Sequence, residues 1–243
     1  MGYYSIIIIV PVYNEESNIS NVIKSLKNIK LNCDILIIND GSTDNSIKIC
    51  ENYKFCKLIN LPYNIGIGGA VQTGFIYANR NNYDLVLQFD GDGQHLASEI
   101  TKIVDPIIKG ESDVVIGSRF YNDTGFKSTF ARRIGIKFIS LFIKLITNMT
   151  VKDVTSGFRA YNKNTVAFLA NNYTVDYPEP ESLITLYKNN YKIKEVSVNM
   201  VDRVGGKSSI SFVKSVYYIV KVILSISIMA FKKNKIVANN GIA

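Results

Sequence analysis

The 243-residue sequence predicts an α/β domain built on a mainly parallel sheet. Three observations carry that prediction. Short apolar runs recur at 5–10, 34–38, 56–61, 85–89 and 113–117. Segments with helical spacing of apolar residues separate them, as right-handed β–α–β crossovers require. Several runs are continuously apolar, the pattern of strands covered on both faces.

Composition sets outer bounds. A hydrophobic content of 47% supplies a core, and 20% charged residues is ordinary for a folded domain. The length suits one large domain or two abutting halves. Net charge is +8, which points to an anionic partner: nucleotide, nucleic acid or anionic lipid. From residue 203 onward the basic side chains Arg203, Lys207, Lys214, Lys221, Lys232, Lys233 and Lys235 meet no acid. No basic stretch is interleaved with stacking aromatics, which argues against nucleic acid. Cys33, Cys50 and Cys56 lack metal-type spacing and read as reduced thiols of a cytosolic protein. The first apolar run is too short for a signal peptide and meets Pro11, so it reads as the first strand.

The first helix follows Asn14-Glu15-Glu16-Ser17 and carries Ile19, Val22, Ile23, Leu26 and Ile29 on one face. The second strand runs into a polar turn from Asn39 to Ser46, whose backbone N–H groups could face an anion. After the third strand, Gly66, Gly68 and Gly69 open a helix through Tyr77. Their spacing is not the dinucleotide fingerprint G-x-G-x-x-G, so close packing and room for a nucleotide both explain them.

The fourth strand ends in Asp90-Gly91-Asp92-Gly93-Gln94-His95. Ligands of parallel sheets bind beyond the carboxyl ends of strands. Residues two apart in an extended segment point the same way. Two carboxylates so placed repel unless a cation lies between them. Oxygen ligands from Asp90, Asp92 and Gln94 suit Mg²⁺ or Mn²⁺, which would hold a nucleotide's diphosphate. A plain Asp-Gly turn is the competing explanation.

Beyond Gly117-Ser118-Arg119 lies an apolar helix at 134–149 with a polar stripe of Lys137, Ser140, Lys144 and Thr147, preceded by Arg132 and Arg133. Asp153 to Arg159 leads into a short helix. Glu179-Pro180-Glu181 starts another helix, with proline and acids in its first turn. A strand at 192–200 enters a basic loop from Arg203 to Ser209. Residues 212–231 form a helix whose stripe of Lys214, Tyr218, Lys221 and Ser225 suits a membrane surface. Spanning the bilayer and packing on the core are the alternatives.

In order along the chain, these stretches resemble the family 2 glycosyltransferases of GT-A fold. Within that family they are similar to the branch of dolichol-phosphate mannose synthase and bacterial polyprenyl-phosphate glycosyltransferases. The matching pieces are Val10 to Glu15, Asn39 to Asp44, Asn64 to Gly74, Asp90 to His95, Gly117 to Arg119, Thr155 to Arg159 and Arg203 to Ser209. The resemblance implies a GT-A domain over 1–210, with a nucleotide-sugar half (1–118) and an acceptor half (119–210). An amphipathic juxtamembrane helix (211–235) and a tail (236–243) follow.

It also implies roles. Pro11, Tyr13 and Glu15 would line the base and ribose pocket, and Asp40 would contact the nucleoside. Gly68, Asp90, Gly91, Asp92 and Gln94 would complete the donor site, with Mg²⁺ or Mn²⁺ on Asp90, Asp92 and Gln94. Asp92, Arg119 and Arg203 would be catalytic. Arg119, one of Arg132 and Arg133, Arg203 and Lys207 would seat the acceptor phosphate. Glu179 or Glu181 would be the base if the acceptor were a hydroxyl. His95 would touch the donor phosphates or cap a turn.

The expected activity is metal-dependent, inverting transfer of a hexose to polyprenyl (undecaprenyl) phosphate, with UDP-glucose the first donor to consider. It would serve cell-wall or surface polysaccharide modification. A phosphate acceptor is already nucleophilic and needs only positive groups to orient it. The enzyme would sit peripherally on the cytoplasmic face of the cell membrane, alone, as a homodimer or with a small membrane protein. Transfer to a hydroxyl and a non-catalytic nucleotide-sugar-binding subunit are the alternatives. A nucleotidyltransferase ranks last, since no glycine-rich, lysine-bearing loop lies near the first strand.

Overall fold

Strand β1 (Ile6–Val12) is buried along its whole length, as an isoleucine-rich run in the middle of a sheet must be. The computed structural model describes residues 4–121, 130–202 and 212–231. β1 pairs in parallel with β2 (Asp34–Asn39), and β2 with β3 (Lys57–Asn60). On its other side β1 pairs in parallel with β4 (Leu85–Gln88). β5 (Val114–Ser118), β6 (Arg159–Asn162) and β7 (Ile193–Ser197) complete a seven-stranded sheet of order β3-β2-β1-β4-β6-β5-β7. β6 is antiparallel to β4 and β5, while β7 is parallel to β5. The sheet is therefore mixed and mainly parallel.

The sequence analysis did not find β6. Arg-Ala-Tyr-Asn presents no apolar run, yet Arg159, Ala160 and Tyr161 are fully buried. The strand at 192–200 is shorter than expected, although Met200 still forms a single antiparallel bridge to His95.

Helices α1 (Ile19–Lys27) and α4 (Ile100–Ile108) cover one face of the sheet, joined at its edge by α2 (Ser46–Glu51). α3 (Gly66–Arg80) and α6 (Lys163–Asn172) cover the other. A third apolar cluster joins α5 (Phe130–Thr147), α7 (Pro178–Lys188) and α8 (Phe212–Phe231) through Ile136, Ile139, Ile143, Leu183, Ile184, Val222 and Ile226. The cysteines are free, and burial pushes their thiols up to about 11 for Cys33 and Cys56 and about 12 for Cys50. They are inert packing residues.

The polar stripes of α5 and α8 face differently from the expectation. In α8, Tyr218 packs edge-on against Tyr177 and Ser225 donates to the Glu181 carboxylate. Lys188 of α7 donates to the carbonyls of Met229 and Ala230 at 2.9 and 3.0 Å, satisfying last-turn acceptors that have no partner within the helix. In α5, Thr147 is buried and Ser140 bonds the Val151 carbonyl. The outward surface is instead apolar: Ile134, Phe138, Leu141 and Leu145 on α5, and Tyr217, Val220, Leu224, Ile228 and Phe231 on α8. Lys137, Lys144 and Lys221 are exposed beside it. No helix among the described residues is long and apolar enough to cross a membrane.

Candidate active site

The carboxyl ends of β1, β2 and β4 meet where neighbouring connections leave the sheet, with Val12 beside Asn39 and Ile9 beside Gln88. Such a junction leaves a crevice for a ligand. Side chains stitch its walls together. Asn14 has a positive φ of 54° and accepts from Thr43 N at 2.8 Å, while its own N–H donates to Ser42 Oγ at 3.0 Å. Glu15 N donates to Ser46 Oγ at 2.8 Å, and Asn45 N donates to Glu16 Oε2 at 3.0 Å. In the 39–46 turn, expected to face an anionic ligand, the N–H groups of Ser42, Thr43, Asn45 and Ser46 are thus taken up by Asn39, Asn14, Glu16 and Asp44. The anion at this turn is the chain's own carboxylate.

A cavity of about 290 Å³ opens between these loops. Of the expected donor residues, Pro11, Tyr13, Glu15, Asp40, Asp90, Gly91 and Asp92 line it. Val12, Asn64, Gly66, Ile67 and Ala70 complete the lining; the glycine-rich start of α3 was the signal for most of them. Tyr13 is 46% exposed, leaving a ring face for a planar base. Asp40 is buried and accepts from Ile65 N at 2.8 Å and Gly66 N at 3.0 Å. Its carboxylate therefore anchors the positive end of α3 at the cavity wall.

Gly68 and Gln94 do not line the cavity. A Cβ on Gly68 would lie 2.5 Å from the Val175 carbonyl oxygen, so this glycine serves the contact between α3 and the 174–175 segment. Gln94 lies in the turn, where its N–H donates to Asp92 Oδ1 at 3.0 Å and its carbonyl accepts from Val201 N.

Asp90 and Asp92 both line this cavity, although Gly91 and Asp92 form a turn rather than the extended segment expected. Among the described residues no group of three or more His, Cys, Asp and Glu side chains could hold a metal. A divalent ion held by this pair must complete its shell from ligand oxygens and water, which is the habit of Mg²⁺ and Mn²⁺ rather than zinc. The donor set fits those ions. His95 is turned away from that role, with Nε2 3.1 Å from Asp90 Oδ2. Although burial works against its charge, hydrogen bonds from His95 and Gln88 hold Asp90 below the usual carboxylate range.

Behind the pair sits Arg119, only 5% exposed. Its Nε and Nη2 donate to Asp153 at 2.7 and 2.8 Å, and Nη2 also reaches Thr155 at 3.2 Å. The guanidinium expected to take the acceptor phosphate is thus already gripped by a buried carboxylate. Burial opposes its charge, but Asp153 and then Asp90 and Asp92 reinforce it. Arg133 is exposed, its guanidinium 6.0 Å from the Phe120 ring centre. Arg203, Lys207 and the side chain of Arg132 lie outside the described residues.

Arg159 is fully buried and, among the described residues, bonds no carboxylate. It donates to the carbonyls of Val154, Ser156 and Glu179 and to Ser182 Oγ, at 2.7–3.1 Å. These bonds tie the 153–158 loop to the first turn of α7. That loop brings Gly157 against Asp90, where a Cβ would stand 2.6 Å from Oδ2. Glu179 is half-buried; burial pushes its carboxyl up to about 7, with Arg159 opposing and Asp90 adding to the rise. Glu181 is buried and committed to Ser225.

Residues 7–167 match the model of Glycosyl transferase family 2. The chain belongs to this family. It is 33% identical over 215 residues to the UDP-N-acetylglucosamine–dolichyl-phosphate N-acetylglucosaminyltransferase of Methanococcus voltae, covering 81% of this chain and 85% of that one. It is 28% identical to the undecaprenyl-phosphate 4-deoxy-4-formamido-L-arabinose transferase of Proteus mirabilis, covering 85% and 63%. Among solved structures, glucosyl-3-phosphoglycerate synthase of Mycobacterium tuberculosis, crystallised with Mn²⁺, UDP and phosphoglyceric acid, superposes with a TM-score of 0.69 at 16% identity, covering 96% and 80%.

The glycosyltransferase therefore has the GT-A architecture that its strand pattern and motifs implied. Its family match extends through β6, so the antiparallel strand that carries Arg159 is part of the matched region. The Thr155–Arg159 motif was legible in the sequence, but the job of its arginine was not, because its partners lie up to 23 residues away.

Proposed function

We propose that this glycosyltransferase moves a sugar from a uridine nucleotide to a polyprenyl phosphate at a membrane surface, in one inverting displacement. The observation that carries the proposal is the Asp90–Asp92 pair on a cavity that Tyr13, Pro11 and Asp40 also line. The relatives' own names support the acceptor, since they cite dolichyl and undecaprenyl phosphates. One of them also brings UDP-N-acetylglucosamine as a donor to test beside the UDP-glucose expected from the sequence.

In this reading Pro11 and Tyr13 hold the base, while Asp90 and Asp92 hold Mg²⁺ or Mn²⁺. Bound there, the ion supplies charge neutralisation for the departing diphosphate. Arg119, clamped by Asp153, keeps a fixed positive charge behind the aspartates. Arg203 and Lys207 remain proposed ligands of the acceptor phosphate. An anionic phosphate oxygen attacks the anomeric carbon, the bond to the diphosphate oxygen breaks, and no proton has to leave the nucleophile.

The outward apolar faces of α5 and α8, edged by Lys137, Lys144 and Lys221, suit an anionic lipid surface on the cytoplasmic side. A homodimer or a small membrane-protein partner is the other way to cover them.

One observation favours a second reading, transfer to a hydroxyl. The carboxyl of Glu179, pushed up to about 7 by burial, lies near enough to Asp90 to feel its charge although it does not line the cavity, and such a carboxyl could serve a hydroxyl acceptor as base. A single assay separates the two. Radiolabelled UDP-glucose or UDP-N-acetylglucosamine is incubated with Mn²⁺ and vesicles carrying anionic lipid, with either undecaprenyl phosphate or undecaprenol. Label entering the lipid phase only with the phosphate is the expected result. Transfer to the alcohol supports the hydroxyl reading, and donor binding without any transfer leaves a binding subunit.

A further inference from the structure

His95 is the chain's single histidine; it does not line the cavity, and its ring reaches back across the turn to Asp90. Gly93, with φ +78°, reverses the chain after Asp92 and brings the ring back over Asp90. The imidazole stacks on Phe158 with centroids 4.6 Å apart and planes 14° apart, while Phe89 meets it edge-on at 5.4 Å. The backbone is pinned as well. His95 forms a β-bridge with Met200, and Val201 N donates to Gln94 O at 3.0 Å.

Among the described residues the ring makes one polar bond, from Nε2 to Asp90 Oδ2 at 3.1 Å, and Nδ1 is buried without a partner. A half-satisfied polar ring in an apolar pocket carries a desolvation cost that phenylalanine would avoid. The bond to Asp90 is what the imidazole adds over a phenyl ring. The other sides of that carboxylate are closed too. Gln88 Nε2 lies 3.3 Å from Oδ1, and Gly157 leaves no space behind it. The remaining direction is the cavity, toward which the side chain is 30% exposed.

We infer that His95 is a positioning residue: held rigid by Phe89, Phe158 and the bridge to Met200, it fixes the Asp90 carboxylate for the divalent ion and the donor diphosphate while touching neither. The inference rests on the reading of the cavity as a metal and diphosphate site. Groups that orient a metal's ligands are worth about 10–100-fold in metal affinity.

The test measures Mn²⁺ affinity at saturating UDP, by the loss of the free-ion electron paramagnetic resonance signal, for the parent and three variants. His95→Phe keeps the stack and removes the bond; its Kd for Mn²⁺ should rise about tenfold or more. His95→Gln places an amide nitrogen where imidazole Nε2 stood and should return to within about threefold of the parent, inside the lower bound for losing an orienting group. His95→Asn, too short to reach Asp90, should resemble His95→Phe. Melting temperatures of the metal-free proteins are recorded alongside. The inference is overturned if His95→Phe binds Mn²⁺ as the parent does. It is also overturned if affinity simply follows melting temperature with no recovery in His95→Gln. If the parent itself shows no UDP-dependent Mn²⁺ binding while His95→Phe only lowers the melting temperature, the underlying site reading fails and His95 is a core residue.

Discussion

Replacing Asp92 by asparagine should lower kcat/KM by about a thousandfold, or about 4 kcal/mol of transition-state stabilisation. The substitution preserves shape: an asparagine Oδ1 can still accept from Gln94 N, as Asp92 does at 3.0 Å. What disappears is one of the two negative charges on the cavity wall. The cavity would then hold a divalent ion less tightly, and the Mn²⁺ concentration for half-maximal rate should rise. Steady-state kinetics across a Mn²⁺ series, with a melting curve as control, decides it. An unchanged metal dependence with activity within tenfold of the parent would remove Asp92 from the chemistry.

The second large effect concerns Glu179 and stability. Its carboxyl is raised from 4.5 to about 7, with burial the largest cause. An acid whose folded pKa lies above its unfolded value binds more protons in the native state between the two. Stability from this group is therefore greatest below about 4.5, falls as pH rises through that window, and levels off above about 7. The whole span corresponds to about 3 kcal/mol. Glu179→Gln removes the titration, so the variant should gain on the parent by most of that amount, about 2.5 kcal/mol, between pH 5 and pH 8. Urea unfolding in EDTA at the two pH values measures the difference, because a bound cation beside Asp90 would favour ionised Glu179. An equal stability difference at both values would show that the carboxyl titrates normally.

The fold was legible wherever burial left a run of one character. β1 is an unbroken apolar segment and β4 is apolar up to Gln88, and Asp90 and Asp92 follow it abruptly, so strand and site were read together. The 20-residue span of α8 was equally plain. Polar residues whose partners are distant in sequence were not legible. Arg159 is buried because four acceptors from two other segments surround it, and nothing local announces that. Tyr218 and Ser225 read as a solvated stripe, yet α7 supplies Tyr177 and Glu181 to meet them. Likewise, the N–H groups of the 39–46 turn looked open to a ligand until Glu16 and Asn14 folded over them. Arg119 was expected to take the acceptor phosphate, and its bidentate bond to Asp153 was not legible because it depends on a loop 34 residues away.

The most direct measurement is the position of manganese in crystals grown with UDP and Mn²⁺, located by its anomalous scattering. Uracil should lie against Tyr13, with the metal peak bridging the diphosphate and the Asp92 carboxylate. A nucleotide in the cavity with no metal touching either aspartate, or one bound elsewhere on the molecule, would contradict the account.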